Sequence, residues 1–167
     1  INDVRELLVH FRTRTNTDDI ESALQETLQK FQHQTGLPTR LQIEGEGLPL
    51  PADVQVQVLH VVQEALSNVR KHAGASHVSL DVHKGSQWRF VVRDNGSGFD
   101  TAQRHGETHV GTKIMRERAE RIGATVLIES LPGKGTTVTL TLPPNPVAAS
   151  SVGTVGLEFS ESVLTTP

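Results

Sequence analysis

The chain has 167 residues, a formal charge of -3 at pH 7, no cysteine, no tyrosine, five Phe and one Trp. That length suits one domain with a substantial apolar core, since a chain near 150 residues buries roughly 68–70% of its unfolded surface. The lack of cysteine excludes a disulfide framework, a thiolate zinc site, an iron–sulfur cluster and a thiol nucleophile, and the mild acidity with few aromatics speaks against a nucleic-acid partner.

No apolar run approaches the ~18 residues of a membrane span, and no signal peptide opens the chain. It begins with Ile1, not Met, so the expectation is a piece of a longer protein. Residues 2–12 read as helix, with Val4, Leu7, Leu8 and Phe11 on one stripe, as at the end of a longer packed helix. A polar link, 13–17, leads to a second helix over 18–35, carried by Ile20, Leu24, Leu28 and Phe31. Asp18 with Glu21 resembles a capping box, and Gly36 with Pro38 supplies the stop. Leu41 and Ile43 mark a short strand, and 45–51 a loop.

Val54, Val56 and Val58 alternate like a strand, but Val58, Val61, Val62, Ala65, Leu66 and Val69 continue with a helical period, which predicts a helix from about 53 to Gly74. Two alternating runs, Val78-Leu80-Val82 and Trp88-Phe90-Val92, flank Gly85-Ser86 as a hairpin. Residues 94–110 read as loop, and 111–122 as a helix stopped by Gly123. A last hairpin spans 125–129 and 137–142 around the turn 132–135. Helices on one side and hairpins on the other predict an α+β fold: a two-layer sandwich of about three helices on a mixed, mostly antiparallel sheet. Pro143, Pro144 and Pro146 end it; 144–167 reads as linker or tail, where Val155, Leu157 and Phe159 could also form a stray strand.

Four features carry chemistry. On the long helix, Glu64 and Asn68 are four apart on one face, and Lys71 is three beyond; a carboxylate, an amide oxygen and an ammonium in a row suit a magnesium–phosphate site, or a solvated polar face. Asp94-Asn95-Gly96-Ser97-Gly98 follows a strand, where Asp94 can accept from an exocyclic amine such as that of adenine and the glycines let a flat ligand approach; it is also good turn chemistry. Gly111 opens a helix behind 101–110, a segment with the make-up of a lid; the two also read as a surface loop and an ordinary amphipathic helix. Gly133-Lys134-Gly135-Thr136 is a hairpin turn that would present the Thr136 hydroxyl.

The order of these features, with "QEALSNVRKHAGAS", "DNGSGF", "IMRERAERIGA" and "PGKGTTVTLTLP", resembles the ATP-binding catalytic domain of sensor histidine kinases, a Bergerat-type fold shared with gyrase, the large heat-shock chaperone ATPase and MutL. Within that family it resembles the nitrate/nitrite sensors and their relatives, from about residue 4 to 143. The resemblance implies that Asn68 ligates Mg²⁺ between the ATP phosphates and Lys71 contacts phosphate. It implies that Asp94 binds the adenine amine, Gly96 and Gly98 shape the pocket, Gly111 starts the helix behind the lid, and Thr136 completes the adenine-side hydrogen-bond network. Glu64 stands where gyrase-like ATPases have a general base; in kinases of this kind it positions metal or water. His72 is a family feature that also reads as a structural histidine near a helix end.

Two positions depart from the family. Thr112 stands where Leu follows the lid glycine, which would weaken lid packing, and Lys113 replaces a small or amide residue and could contact phosphate.

The resemblance makes 1–12 the end of the dimerisation and phosphoacceptor helix, 13–143 the ATP-binding domain, and the whole a cytoplasmic part of a membrane-anchored, homodimeric sensor. Its implied partners are ATP, the phosphoacceptor helical hairpin of the same or sister subunit, and a response regulator, with membrane contact only through missing segments. None of the eight histidines precedes Asp or Glu, so the family's acceptor motif is absent, and self-phosphorylation of this chain is not expected. His105 and His109, four apart in the lid, lack the helical pattern of a metal pair. A gyrase- or MutL-type ATPase and a degenerate module that only binds partners remain as alternatives.

Overall fold

The computed structural model describes residues 19–102 and 106–144. The expected helix at 2–12, the Asp18 cap, His105 and the tail run 155–159 lie outside them. The first helix, α1 (Asp19–Thr35), buries Ile20, Leu24, Leu28 and Phe31, the stripe its sequence prescribes. Gly36, at φ 73°, turns the chain out of the helix and donates its N–H to the Gln32 carbonyl at 2.7 Å. Glu21 pairs with Lys84 at 2.5 Å, tying the start of α1 to the sheet.

Strand β1 (Thr39–Gly45) runs longer than the two apolar residues that marked it, and it pairs parallel with β2 (Val78–Lys84). Between them lies α2 (Ala52–Asn68), which settles the alternating valines as helix. Val56 and Val58 are buried and Val54 half-buried because α2 sits between the sheet and the other helices, so apolar residues surround more of its circumference than a surface helix would need. The chain continues through a π-helical turn, Val69–Ala73, to Gly74 at φ 58°.

β2 and β3 (Arg89–Asp94) form the first hairpin, and β4 (Thr125–Ser130) and β5 (Thr136–Thr141) the second. The sheet order is β1-β2-β3-β5-β4, so β5 inserts between β3 and β4, and all pairings but the first are antiparallel. Val78, Leu80, Val82, Phe90, Val92, Val138 and Leu140 alternate toward the helices and are buried, giving the two-layer α+β sandwich its core.

The third helix, α3, spans Glu107–Glu120 and not 111–122. Gly106, at φ 95°, occupies its N-cap, so Gly111 lies inside the helix, and the last four residues of the expected lid, 107–110, are helical. The β-branched Thr108 and Val110 and the glycine disfavour helix locally; packing of α3 on α2 overrides that preference.

Phe90 is fully buried at the sheet centre, its ring 5.9 Å from that of Trp88. Replacing it with alanine is expected to cost about 3–5 kcal/mol, read as a lower urea midpoint with an unchanged slope.

Candidate functional site

A cavity opens between α2 and the end of the sheet where β3 finishes and β5 begins, with about 480 Å³ of empty space that includes its solvent-open mouth. Its walls are apolar: Ala65 and Val69 from α2 and the π turn, Val92, Ile128 and Val138 from the strands, and Phe99 from the following loop. Four polar side chains face it, Asn68, Asp94, Thr108 and Thr136. A slot with apolar faces and few placed polar groups is suited to a flat, partly polar ligand.

Two segments remote in sequence build the floor. The β3–β5 register sets Asp94 opposite Thr136, and the loop after β3 closes on the β4–β5 turn through backbone contacts. Gly98, at φ 65°, has no room for a Cβ, which would run into the Leu131 carbonyl; Gly135, at φ 75°, is blocked in the same way by the Asp94 carbonyl. The Gly133 N–H donates to the Ser97 carbonyl, and the Phe99 N–H donates to Ser130 Oγ at 2.9 Å. Asn95 fastens the other side: its Oδ1 accepts from the Ser76 and His77 N–H groups at 2.9 and 3.1 Å.

Asp94 is half-buried, and its Oδ1 accepts the Gly96 N–H at 2.8 Å. Burial pushes its carboxyl above the ordinary value of 3.8, against the opposing pull of hydrogen bonds from the Gly96 and Thr136 backbone. Gly98 lines the cavity directly, whereas Gly96 acts through that N–H and is not part of the wall.

On the opposite side, α3 crosses α2 at Gly111. A Cβ there would stand 2.8 Å from both Glu64 Oε1 and Asn68 Oδ1, so the two oxygens converge on the glycine. Contrary to the expectation that it opens the helix, Gly111 lies inside α3 and lets it approach the Glu64–Asn68 pair. Thr112 is 6% exposed, and its hydroxyl donates to the His109 carbonyl at 2.9 Å, so a polar residue occupies this buried position with its hydrogen bond satisfied.

Lys71 and Lys113 are exposed and do not line the cavity. Lys71 was expected on the face of Asn68, but the π turn advances each residue by a smaller angle than an α-helix and breaks that phase. The His72 side chain lies outside the described residues. Phe99, which closes the DNGSGF run, lines the cavity as well, and two contributors had no motif to mark them. Thr108 sits in what reads as loop, while Ser130 becomes visible only once the strands are paired.

Among the described residues no three His, Asp or Glu side chains gather into a metal cage. An amide and a carboxylate oxygen that converge, as Asn68 and Glu64 do, are hard donors of the kind Mg²⁺ takes one or two at a time, with phosphate and water completing its shell.

Residues 53–146 match the family model described as histidine kinase-, DNA gyrase B- and HSP90-like ATPase. The chain is 38% identical over 139 residues to the nitrate/nitrite sensor protein NarQ of Escherichia coli (strain K12), a match covering 82% of this chain and 24% of that protein. It is 32% identical over 144 residues to the signal transduction histidine-protein kinase/phosphatase DegS of Brevibacillus brevis, covering 84% of this chain and 37% of the relative. The chain thus spans about a quarter to two-fifths of the length of these curated relatives. Among solved structures, the histidine kinase AdeS of Acinetobacter baumannii superposes with a TM-score of 0.61 at 14% identity, covering 86% of this chain and 76% of that one. The histidine kinase domain of the Erythrobacter litoralis EL346 blue-light activated kinase does so with a TM-score of 0.56 at 21% identity, covering 70% and 57%. At those identities the likeness is one of fold.

The burial of Asp94 has a measurable consequence. A carboxyl whose folded value is raised holds its proton more tightly when folded, so its contribution to stability is full below pH 3.8 and is lost as pH rises through the folded value. Asp94→Asn has no such titration. The difference in Tm between wild type and this variant is expected to move in the variant's favour as pH rises from about 3 to 7. A difference that stays constant with pH would contradict the assigned cause.

Proposed function

Because the chain belongs to the family of histidine kinase-, DNA gyrase B- and HSP90-like ATPases, we propose that its cavity binds Mg-ATP and that it is the ATP-binding catalytic domain of a two-component sensor histidine kinase. In this role it donates the γ-phosphoryl group to a histidine on a helical hairpin that is not part of this chain, for relay to a response regulator. The observation that carries the assignment is the placement of a half-buried carboxylate, Asp94, in an apolar slot whose far side presents Asn68.

The slot divides by chemistry. At the sheet end, Val92, Val138 and Phe99 suit the faces of a purine ring, while Asp94 is an acceptor for its exocyclic amine. At the helix end, Asn68 and Glu64 would hold Mg²⁺, whose charge, when the ion is bound, offsets that of the phosphates. The N-terminal turn of α3 borders the cavity through Thr108 and offers backbone N–H groups to anionic oxygens. Lys71 and Lys113, both exposed, serve as mobile cations for phosphate, and His72 keeps a role at the end of the same helix.

A second reading draws support from Glu64. Its carboxylate lies beside the Asn68 amide, where a water-activating base of a gyrase- or MutL-type ATPase would be useful. A phosphoryl transfer to imidazole needs no such water, because the ring nitrogen is itself the nucleophile, and Glu64 then positions the metal. Steady-state hydrolysis by the isolated chain that is abolished in Glu64→Gln would favour the ATPase. Among the described residues no helix is long and apolar enough to cross a membrane. We place the domain on the cytoplasmic side, where ATP is supplied, with dimerisation and any membrane anchor provided by other parts of the protein.

A fluorescent ATP analogue is expected to bind the chain in a magnesium-dependent manner, and Asn68→Ala to weaken that binding by roughly tenfold or more. Magnesium-independent binding, or none, would favour a degenerate module. Incubated with labelled ATP, the isolated chain should acquire no acid-labile phosphate, whereas a separately expressed acceptor hairpin from the parent kinase should become labelled when the two are mixed.

A further inference from the structure

Ser130 ends β4 beside the base end of the cavity, and no motif singles it out. We propose that Ser130 is a positioning residue that fixes the polarity of the Thr136 hydroxyl, and through it makes the site prefer a 6-amino purine to a 6-oxo purine. This assignment rests on the ATP reading given above and adds to it the origin of base selectivity.

Among the described residues the Ser130 oxygen has three hydrogen-bonding neighbours: the Phe99 nitrogen at 2.9 Å, the Gly135 carbonyl oxygen at 3.0 Å and Thr136 Oγ1 at 2.8 Å. A hydroxyl has one proton and two lone pairs. The Phe99 N–H can only donate, so it takes one lone pair. The Gly135 carbonyl can only accept, and it takes the proton. What remains at Ser130 is a single lone pair, so the contact with Thr136 is made by the threonine donating its own proton. All three bonds are then satisfied at once.

Thr136 is left with lone pairs, and no proton, for the cavity that it lines. Directly across the β3–β5 pairing stands Asp94, which when ionised also only accepts. Both polar groups at this end of the slot therefore call for donors. An amino group supplies them. A 6-oxo group brings a third acceptor into a desolvated place and leaves it unpaired, which is the kind of mismatch that binding sites reject most strongly. Without the Ser130 oxygen, the Thr136 proton is free to turn into the cavity and meet the oxo group.

The test compares Kd values for ATP and inosine triphosphate on the 167-residue chain. Ser130→Ala is expected to shrink the preference for ATP by about five- to tenfold, one redirected hydrogen bond, and Ser130→Thr, which keeps the hydroxyl, to retain it. A serine that merely braced the loop would weaken both nucleotides alike; an unchanged ratio in Ser130→Ala therefore overturns the assignment. Thr136→Val gives an independent answer should Ser130→Ala fail to fold. Removing an acceptor lowers the ATP preference, whereas removing a hydroxyl that donated into the cavity would raise it, so a rise or no change also overturns it. If wild type binds neither nucleotide, the ATP reading itself fails, and the polarity assignment falls with it.

Discussion

The hydrogen-bonded register that sets Asp94 against Thr136 is the constraint from which the rest of the site follows. Because β5 inserts between β3 and β4, the loop leaving β3 and the turn entering β5 emerge side by side and must share the same space. They share it by giving up side chains. Gly98 abuts the Leu131 carbonyl and Gly135 the Asp94 carbonyl, each in a left-handed conformation that a residue with a Cβ would adopt only under strain. The Ser130 hydroxyl and the Gly133 N–H then tie the two loops together. The floor of the cavity is therefore made of interlocked backbone, a rigid support for the acceptor at its centre.

That acceptor is held at a cost. A half-buried carboxylate is poorly solvated, and the Gly96 and Thr136 backbone donors offset part of the lost water. A similar exchange occurs at Gly111. Glycine inside a helix is worth about 1 kcal/mol less than alanine, yet at 111 it leaves the Glu64 and Asn68 side-chain ends where a Cβ would push them aside. Stability is given up at both ends of the slot in favour of the groups that a nucleotide would meet, which is where proteins commonly break local rules.

Much of this was legible beforehand, and the exceptions have identifiable causes. The α1 stripe, both hairpins and the continuation of α2 are visible because burial on one side imposes a period of 3.6 or 2. Asn68, Asp94, Gly98 and Thr136 stand out as polar or glycine residues at strand and helix positions, and they meet in one cavity. The local pattern puts the start of α3 a turn too late, because Thr108, Val110 and Gly111 are weak helix formers whose packing on α2 cannot be seen in the local sequence. The direction of Lys71 relative to Asn68 is not legible, because a π turn leaves no mark in hydrophobic periodicity. Ser130 escaped notice because an isolated hydroxyl acquires meaning only from its neighbours.

The sequence by itself determined the class of fold, the number and order of most elements, and the types of group available for chemistry, since these depend on local periodicity, turn residues and residue identity. The tertiary structure alone decided that β5 lies between β3 and β4, that the converging oxygens of Glu64 and Asn68 face a glycine of α3, and that the Asp94 carboxyl is raised by burial. It also decided which hydroxyl donates and which accepts beneath the cavity. The physical reason is common to all of these. Each depends on distances between groups far apart in the chain, and such distances exist only after the sheet has chosen its strand order and the helices have packed against it.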